Sequence, residues 1–213
     1  MKYFFFILSF QLLALHGALA QDSIRYRVIF IGDAGEMNSR QRLDLRHAAG
    51  EILPGKTTVV YLGDNIYPRG MGLPGSKDEE TGRALLRSQY EPMRAKGAPV
   101  YFVPGNPDWD RMGPDGLAKI RAQGEFLNEQ ADSLLKLVPA NGCPDPVEIP
   151  LTDSLVLIAY DSEWWLFPFA KSDGESECAC KTKEDVVQKL NELRYKNRHK
   201  IILLAAHHPF QSY

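Results

Sequence analysis

Only three cysteines occur in the 213 residues, Cys143, Cys178 and Cys180. Three sulfurs with a single C-x-C spacing and no nearby histidine do not make a four-ligand structural zinc site. They suit one loop-stapling disulfide, from Cys143 to Cys178 or to Cys180, with one thiol left over. A strong charge of one sign is also lacking: 25 Lys and Arg stand against 27 Asp and Glu, a formal net charge of −2. No basic block appears, which argues against a broad nucleic-acid-binding face. The chain has neither G-x-G-x-x-G nor G-x-x-x-x-G-K-[ST], so the two common glycine-rich phosphate cradles are absent. There is no internal repeat.

The one concentrated apolar run lies at the start. Lys2, the apolar stretch from Tyr3 to Leu15, and Ala18-Leu19-Ala20 have the order of an export signal with its cleavage site. An uncleaved anchor is the alternative, but the run falls short of the roughly 20 residues of a membrane span and is broken by Gln11 and His16. The expectation is a signal over residues 1–20, a single domain over 21–213 with no integral membrane span, and an exported protein: periplasmic, outer-membrane-associated or secreted.

Apolar, β-branched runs predict strands at Arg25–Ile31, Thr57–Leu62, Pro99–Val103, Leu155–Tyr160 and Ile201–Ala205. Between them, Leu45, Ala48, Ala49 and Ile52 share one helical face. Ala84–Arg94 reads as a second helix, and Ile120, Leu127, Ala131 and Leu134 mark a longer third. Gly70, Gly72, Pro74, Gly75 and Gly82 predict a mobile rim loop. Asn141–Pro150 reads as a proline-rich connection and 163–181 as a long loop. Thr182 with Asp185 three residues on predicts a helix start, and Val186, Leu190, Leu193 and Asn197 continue it. Five alternations of strand and helix argue an α/β fold with largely parallel pairing.

Four strands deliver a polar residue at their ends: Asp33 after RYRVIFIG, Asp64 after TTVVYLG, Asn106 after VYFVPG and His207 after KIILLAA. In open α/β sheets, ligands gather beyond the carboxyl ends of the strands. Carboxylates with an imidazole suit Zn, Mn and Fe, and a phenolate from Tyr67, three residues after Asp64, favours ferric iron. Asp64 has two oxygens with which to bridge two ions. Each feature also has a plain alternative. Gly-Asp after a strand is an ordinary turn, Tyr67 can simply pack, His208 reads as a neighbour, and Trp164-Trp165 covers a core edge or walls a pocket.

Taken in order, GDAG, GDNIY, GNPDW and AHHP resemble the successive metal motifs of calcineurin-like metallophosphoesterases, over about Val28 to Pro209. The Asp64-x-x-Tyr67 spacing resembles the purple acid phosphatase branch. The exported start and the Trp pair are similar, more loosely, to phosphoesterase domains of Bacteroidetes-type secreted or outer-membrane proteins. This resemblance implies an αββα sandwich and a dinuclear centre of Fe with Zn, Mn or Fe. Asp33, Asp64 and Tyr67 would hold a ferric-type ion, and Asp64, Asn106 and His207 a divalent one. It implies hydrolysis of phosphate esters by a hydroxide held at that centre, and leaves room for a membrane-associated domain downstream.

Two departures from the family stand out. Pro107 occupies the place of the family's catalytic histidine and brings neither a titratable group nor a backbone N–H. Asp108 follows in a supporting role. The family's later Gly-His-x-His is absent, so the domain reads as lacking its last strands, with Ile201–Ala205 a central, buried strand left partly uncovered. The expected chain is therefore a phosphoesterase of low activity or a non-catalytic fragment of that fold that only binds. A metal-free small-molecule domain is the third reading, without a phosphate loop to support it.

Overall fold

The structure, a computed structural model, describes residues 24–169, 171 and 177–209. The signal expected over residues 1–20 lies outside the described residues. Strands β1 (Arg27–Ile31), β2 (Thr57–Leu62), β3 (Val100–Val103) and β4 (Leu135–Leu137) form a parallel sheet in that order. Helices α1 (Ser39–Gly50), α2 (Glu79–Arg94) and α3 (Gly116–Glu129) make the crossovers. A second sheet of three strands, β5 (Val147–Thr152), β6 (Leu155–Ala159) and β7 (Ile201–Ala205), pairs β5 with β6 antiparallel and β6 with β7 parallel. The short helix α4 (Ser162–Leu166) and helix α5 (Lys183–Lys196) lie between β6 and β7 in the chain. The protein is thus α/β, with a four-stranded parallel sheet and its helices.

The period-2 alternation of strands divides the core in two. Val59 and Tyr61 on β2, with Val100 and Phe102 on β3, join Leu45, Leu86, Met93, Ile120 and Phe126 of the helices. Their neighbours Val60 and Val103 face the other way and pack with Ile149, Leu157, Ala159 and Ala205 of the second sheet. A strand buried on both faces must be apolar or have its polar groups paired: in β2, Val59, Val60, Tyr61 and Leu62 follow two threonines whose hydroxyls bond the Leu53 N–H and the Tyr26 hydroxyl. This packing holds the ends of β1, β2, β3 and β7 in one region, which is what assembles the site.

Several expectations are corrected. The third helix stops at Glu129, short of Ala131 and Leu134, because Ala131 takes a left-handed φ of 51°. Strand β4 then begins at Leu135. The proline-rich connection contains β5, and Pro150 is tolerated there because β5 is an edge strand. Part of the long loop after β6 is helix α4, started by Asp161, whose side chain accepts from the N–H groups of Glu163 and Trp164. The glycine-rich rim ends earlier than its composition suggests. Gly82 sits inside α2, where any Cβ would collide with the buried Met71. Finally, β7 is an edge of the described sheet, not a central strand: Ile201 is 65% and Leu204 43% exposed. The capping box at Thr182 and Asp185 forms with both of its bonds.

Cys143 pairs with Cys178, and Cys180 is free and buried. Disulfides persist in oxidising compartments, so this bond is compatible with export. Among the described residues, no helix is long and apolar enough to cross a membrane.

Candidate functional site

Asp33 and Asp64 each follow a glycine at a strand end, and both take a left-handed backbone, with φ of 55° and 56°. Such a conformation costs a non-glycine residue about 1–3 kcal/mol and persists only where the surroundings impose it. Here they do. Gly63 holds φ at 91°, and a Cβ there would strike the His207 ring and Gly105. A Cβ on Gly105 would collide with the Asp64 backbone nitrogen and Oδ1. The turns after β2 and β3 therefore approach one another at backbone distance, the His207 ring from the end of β7 packs against them, and Asp64 lies where they meet.

Asp108 fixes this junction from below. It is fully buried, and its carboxylate accepts the N–H groups of Gly105 at 2.8 Å, Asn65 at 3.1 Å and Ile66 at 3.1 Å, with Asn65 Nδ2 also at 3.1 Å. Burial pushes its carboxyl up to about 7, against the pull of those hydrogen bonds. The supporting role expected for Asp108 is, in this geometry, the joining of the β2 and β3 turns.

The five candidate ligands converge as two clusters that share Asp64. In the first, the Tyr67 hydroxyl lies 2.6 Å from Asp64 Oδ2 and 3.0 Å from Asp33 Oδ1. One hydroxyl proton cannot serve both carboxylates at once. Burial, with these two hydrogen bonds, drives the Tyr67 phenol well above its ordinary value. In the second, His207 Nε2 lies 3.2 Å from Asp64 Oδ1 and 3.3 Å from Asn106 Oδ1. His207 Nδ1 is 2.8 Å from the Leu62 carbonyl, which only accepts, so Nδ1 carries a proton. In a neutral ring Nε2 is then a bare acceptor facing two oxygens. Asp64 Oδ1 is buried and has no hydrogen-bond donor. Three lone-pair atoms facing one another is the arrangement a cation relieves, so this donor set fits a metal ion.

The surroundings are acidic beyond the candidate ligands. Asp161 accepts Trp109 Nε1 at 2.8 Å, and burial raises its carboxyl to about 6. Glu163 is fully buried with neither oxygen hydrogen-bonded, and burial and then Asp161 raise it to about 7. The His208 ring lies beside it, with Nε2 3.6 Å away and Nδ1 2.9 Å from Ser162 Oγ. Among the described residues, no Lys or Arg forms an ion pair with Asp33, Asp64, Asp108, Asp161 or Glu163. His208 does not enter the two clusters, and Trp164 packs into the core. Pro107 is buried and offers only its carbonyl, which accepts from Asp110. Sequence reasoning missed Asp161 and Glu163. The signal was available: Asp161 follows β6 as Asp33 and Asp64 follow theirs.

Cys143, Asp145 and Cys178 also lie close together, but the two sulfurs are joined to each other and leave no thiolates for an ion. Compared with family models and with curated proteins, the chain matches none.

Proposed function

We propose that this chain is an exported metal-dependent phosphoesterase of the calcineurin-like, purple acid phosphatase-like kind, with two packed sheets forming the family's αββα sandwich. The observation that carries the reading is the pair of ligand clusters sharing Asp64, one offering Asp33 Oδ1, the Tyr67 oxygen and Asp64 Oδ2, the other Asp64 Oδ1, Asn106 Oδ1 and His207 Nε2. Phenolate and carboxylates in the first favour Fe(III), and oxygen with imidazole in the second suits Zn, Mn or Fe. Two such ions, when bound, polarise a phosphoryl group and make water a nucleophile near neutral pH. The chain's own residues orient them: Asp108 holds the Asn106 turn against the Asp64 turn, and the Leu62 carbonyl fixes the ring of His207 through Nδ1.

A second reading, binding with little turnover, is favoured by Pro107. It has no proton to give a leaving group, and loss of a general acid removes about 10²–10⁴ in rate.

The test is elemental analysis of protein exposed to Fe, Zn and Mn, followed by hydrolysis of an activated aryl phosphate, for the wild type and Asp64→Asn. Stoichiometric metal that disappears in Asp64→Asn is expected. A wild type that takes up no metal, or a variant that retains it all, refutes the centre. Metal without turnover selects the binding reading.

A further inference from the structure

An open cleft of about 880 Å³ adjoins Tyr67. Its walls come from Gly35 and Met37 beyond the Asp33 turn, from Pro68, and from Ala84 and Leu85 of α2. One cationic side chain lines it, Arg111. The acidic groups on its walls are Glu36 and Glu80, and Glu80 is taken up by Arg87 at 2.8 Å.

The way the chain presents Arg111 is unusual. Asp110, Arg111 and Met112 hold φ at 60°, 50° and 63°, three consecutive non-glycine residues in the left-handed region. Two tethers hold them there. The Arg111 N–H donates to the Asn106 carbonyl at 2.9 Å, which ties its backbone to a candidate ligand. The buried Asp110 carboxylate takes Lys119 Nζ at 2.8 Å and Arg69 at 3.4 Å, and the same Lys119 donates to the Arg69 carbonyl. Two of the three local cations are thus spent on holding the loop. Arg111 is exposed and forms no ion pair among the described residues.

We propose that Arg111 is the substrate-binding residue that takes the anionic oxygens of the phosphoryl group, while the ester's organic group lies in the cleft beside Tyr67. This rests on the phosphoesterase reading and assigns a phosphate contact that Pro107 cannot make. A guanidinium presents a planar fork of N–H donors matched to phosphate oxygens, and a lysine in its place keeps the charge but loses the fork.

The experiment measures binding of inorganic phosphate and of phenyl phosphate by calorimetry on metal-loaded full chain, for the wild type, Arg111→Met and Arg111→Lys, with metal content determined alongside. Arg111→Met should weaken both ligands about 10- to 100-fold, the loss expected for a hydrogen bond to a charged group. Metal content should be unchanged, and Arg111→Lys should recover part of the affinity. Where turnover is measurable, the loss should fall more on KM than on kcat. If the wild type holds no metal, the two-ion reading fails, and the same comparison on the metal-free protein still decides Arg111. Affinities within twofold of wild type in Arg111→Met, or a wild type that binds neither ligand, overturn the proposal.

Discussion

Replacing Asp108 should unfold the site before it touches any chemistry. Its carboxylate accepts three backbone N–H groups, from Gly105, Asn65 and Ile66, at 2.8–3.1 Å, and the Asn65 side chain as a fourth donor. That fourth donor keeps the Val103 carbonyl at 2.8 Å, so Asp108→Ala orphans the three backbone donors. A buried donor left unsatisfied costs about 1–3 kcal/mol. Relief of Asp108's own burial offsets part of the total, leaving a loss of about 3–5 kcal/mol against a stability of about 5–15 kcal/mol for a typical domain. Asp108→Asn is the gentler probe. Its amide nitrogen must displace one oxygen and face the N–H of Gly105 or of Ile66, so it should lose about 1.5–3 kcal/mol. Urea unfolding of the three proteins in chelator reads both values, and metal uptake should fall in the same order. Midpoints for Asp108→Ala within about 1 kcal/mol of wild type, at equal m, would refute the reasoning.

Other outcomes follow from the same geometry. Gly105→Ala should abolish metal uptake, since the new methyl occupies the space of Asp64 Oδ1, and stoichiometric metal in that variant would contradict the packing. In chelator, Tm should fall as pH rises from 5 to 8. Burial raises the Asp108, Asp161 and Glu163 carboxyls to about 7, 6 and 7, so the folded state holds protons that the unfolded chain gives up from about pH 4, and their contribution is lost as pH passes those values. His208, held below its usual value by burial, acts in the opposite sense with one group against three; a Tm that rises across this window counts against the buried acids. Where the metal centre is complete, Pro107→His should raise aryl phosphate turnover at least about tenfold with metal content unchanged, and no gain there would mean that position 107 does not face the leaving group. Burial and Asp145 push the Cys180 thiol up to about 11, so alkylation at pH 8 should be slow until urea is added, and rapid native labelling would show an open thiol.

The strands that carry the candidate ligands were readable because each is a continuous apolar run ending in glycine or a polar residue. β2 is the plainest case, buried on both faces by the two halves of the core. β4 was not readable because three residues carry no period, and β5 because Pro150 argues against a strand unless the strand is known to be an edge. The end of α3 was missed because Ile120 and Leu127 continue in period to Leu134, while a left-handed Ala131 leaves no mark in the sequence. Ligand types were legible one by one. Their convergence was not: Asp64 and Asn106 lie 42 positions apart and meet His207 only through the pairing of β2 with β3 and the packing of the second sheet. The roles of Asp108, Asp161 and Glu163 depend on burial, which no local pattern records.

Three separate penalties fall on Asp64. Its backbone is left-handed without being glycine, its Oδ1 is buried with no donor, and its carboxylate stands near the buried acids Asp108 and Glu163, neither of which forms an ion pair with a Lys or Arg among the described residues. A residue selected only for turn formation would avoid the last two: asparagine tolerates this φ as aspartate does, carries no charge and can donate. Aspartate at this point is accounted for if something positive sits between Oδ1 and the His207 ring. A proton on Nε2 is the smaller candidate, and it satisfies the second cluster alone. It leaves the first untouched, where the Tyr67 hydroxyl still has one proton for two carboxylates at 2.6 and 3.0 Å. Two cations would relieve both clusters, and Asp64 is the residue that contributes an oxygen to each. Asp64→Asn should therefore do opposite things in two conditions: stabilise the protein in chelator, where an amide can donate from the position of the buried, donor-less Oδ1, and abolish the metal-induced rise in Tm. A variant less stable than wild type in chelator would mean that the proton, and not a metal, is what the site was built around.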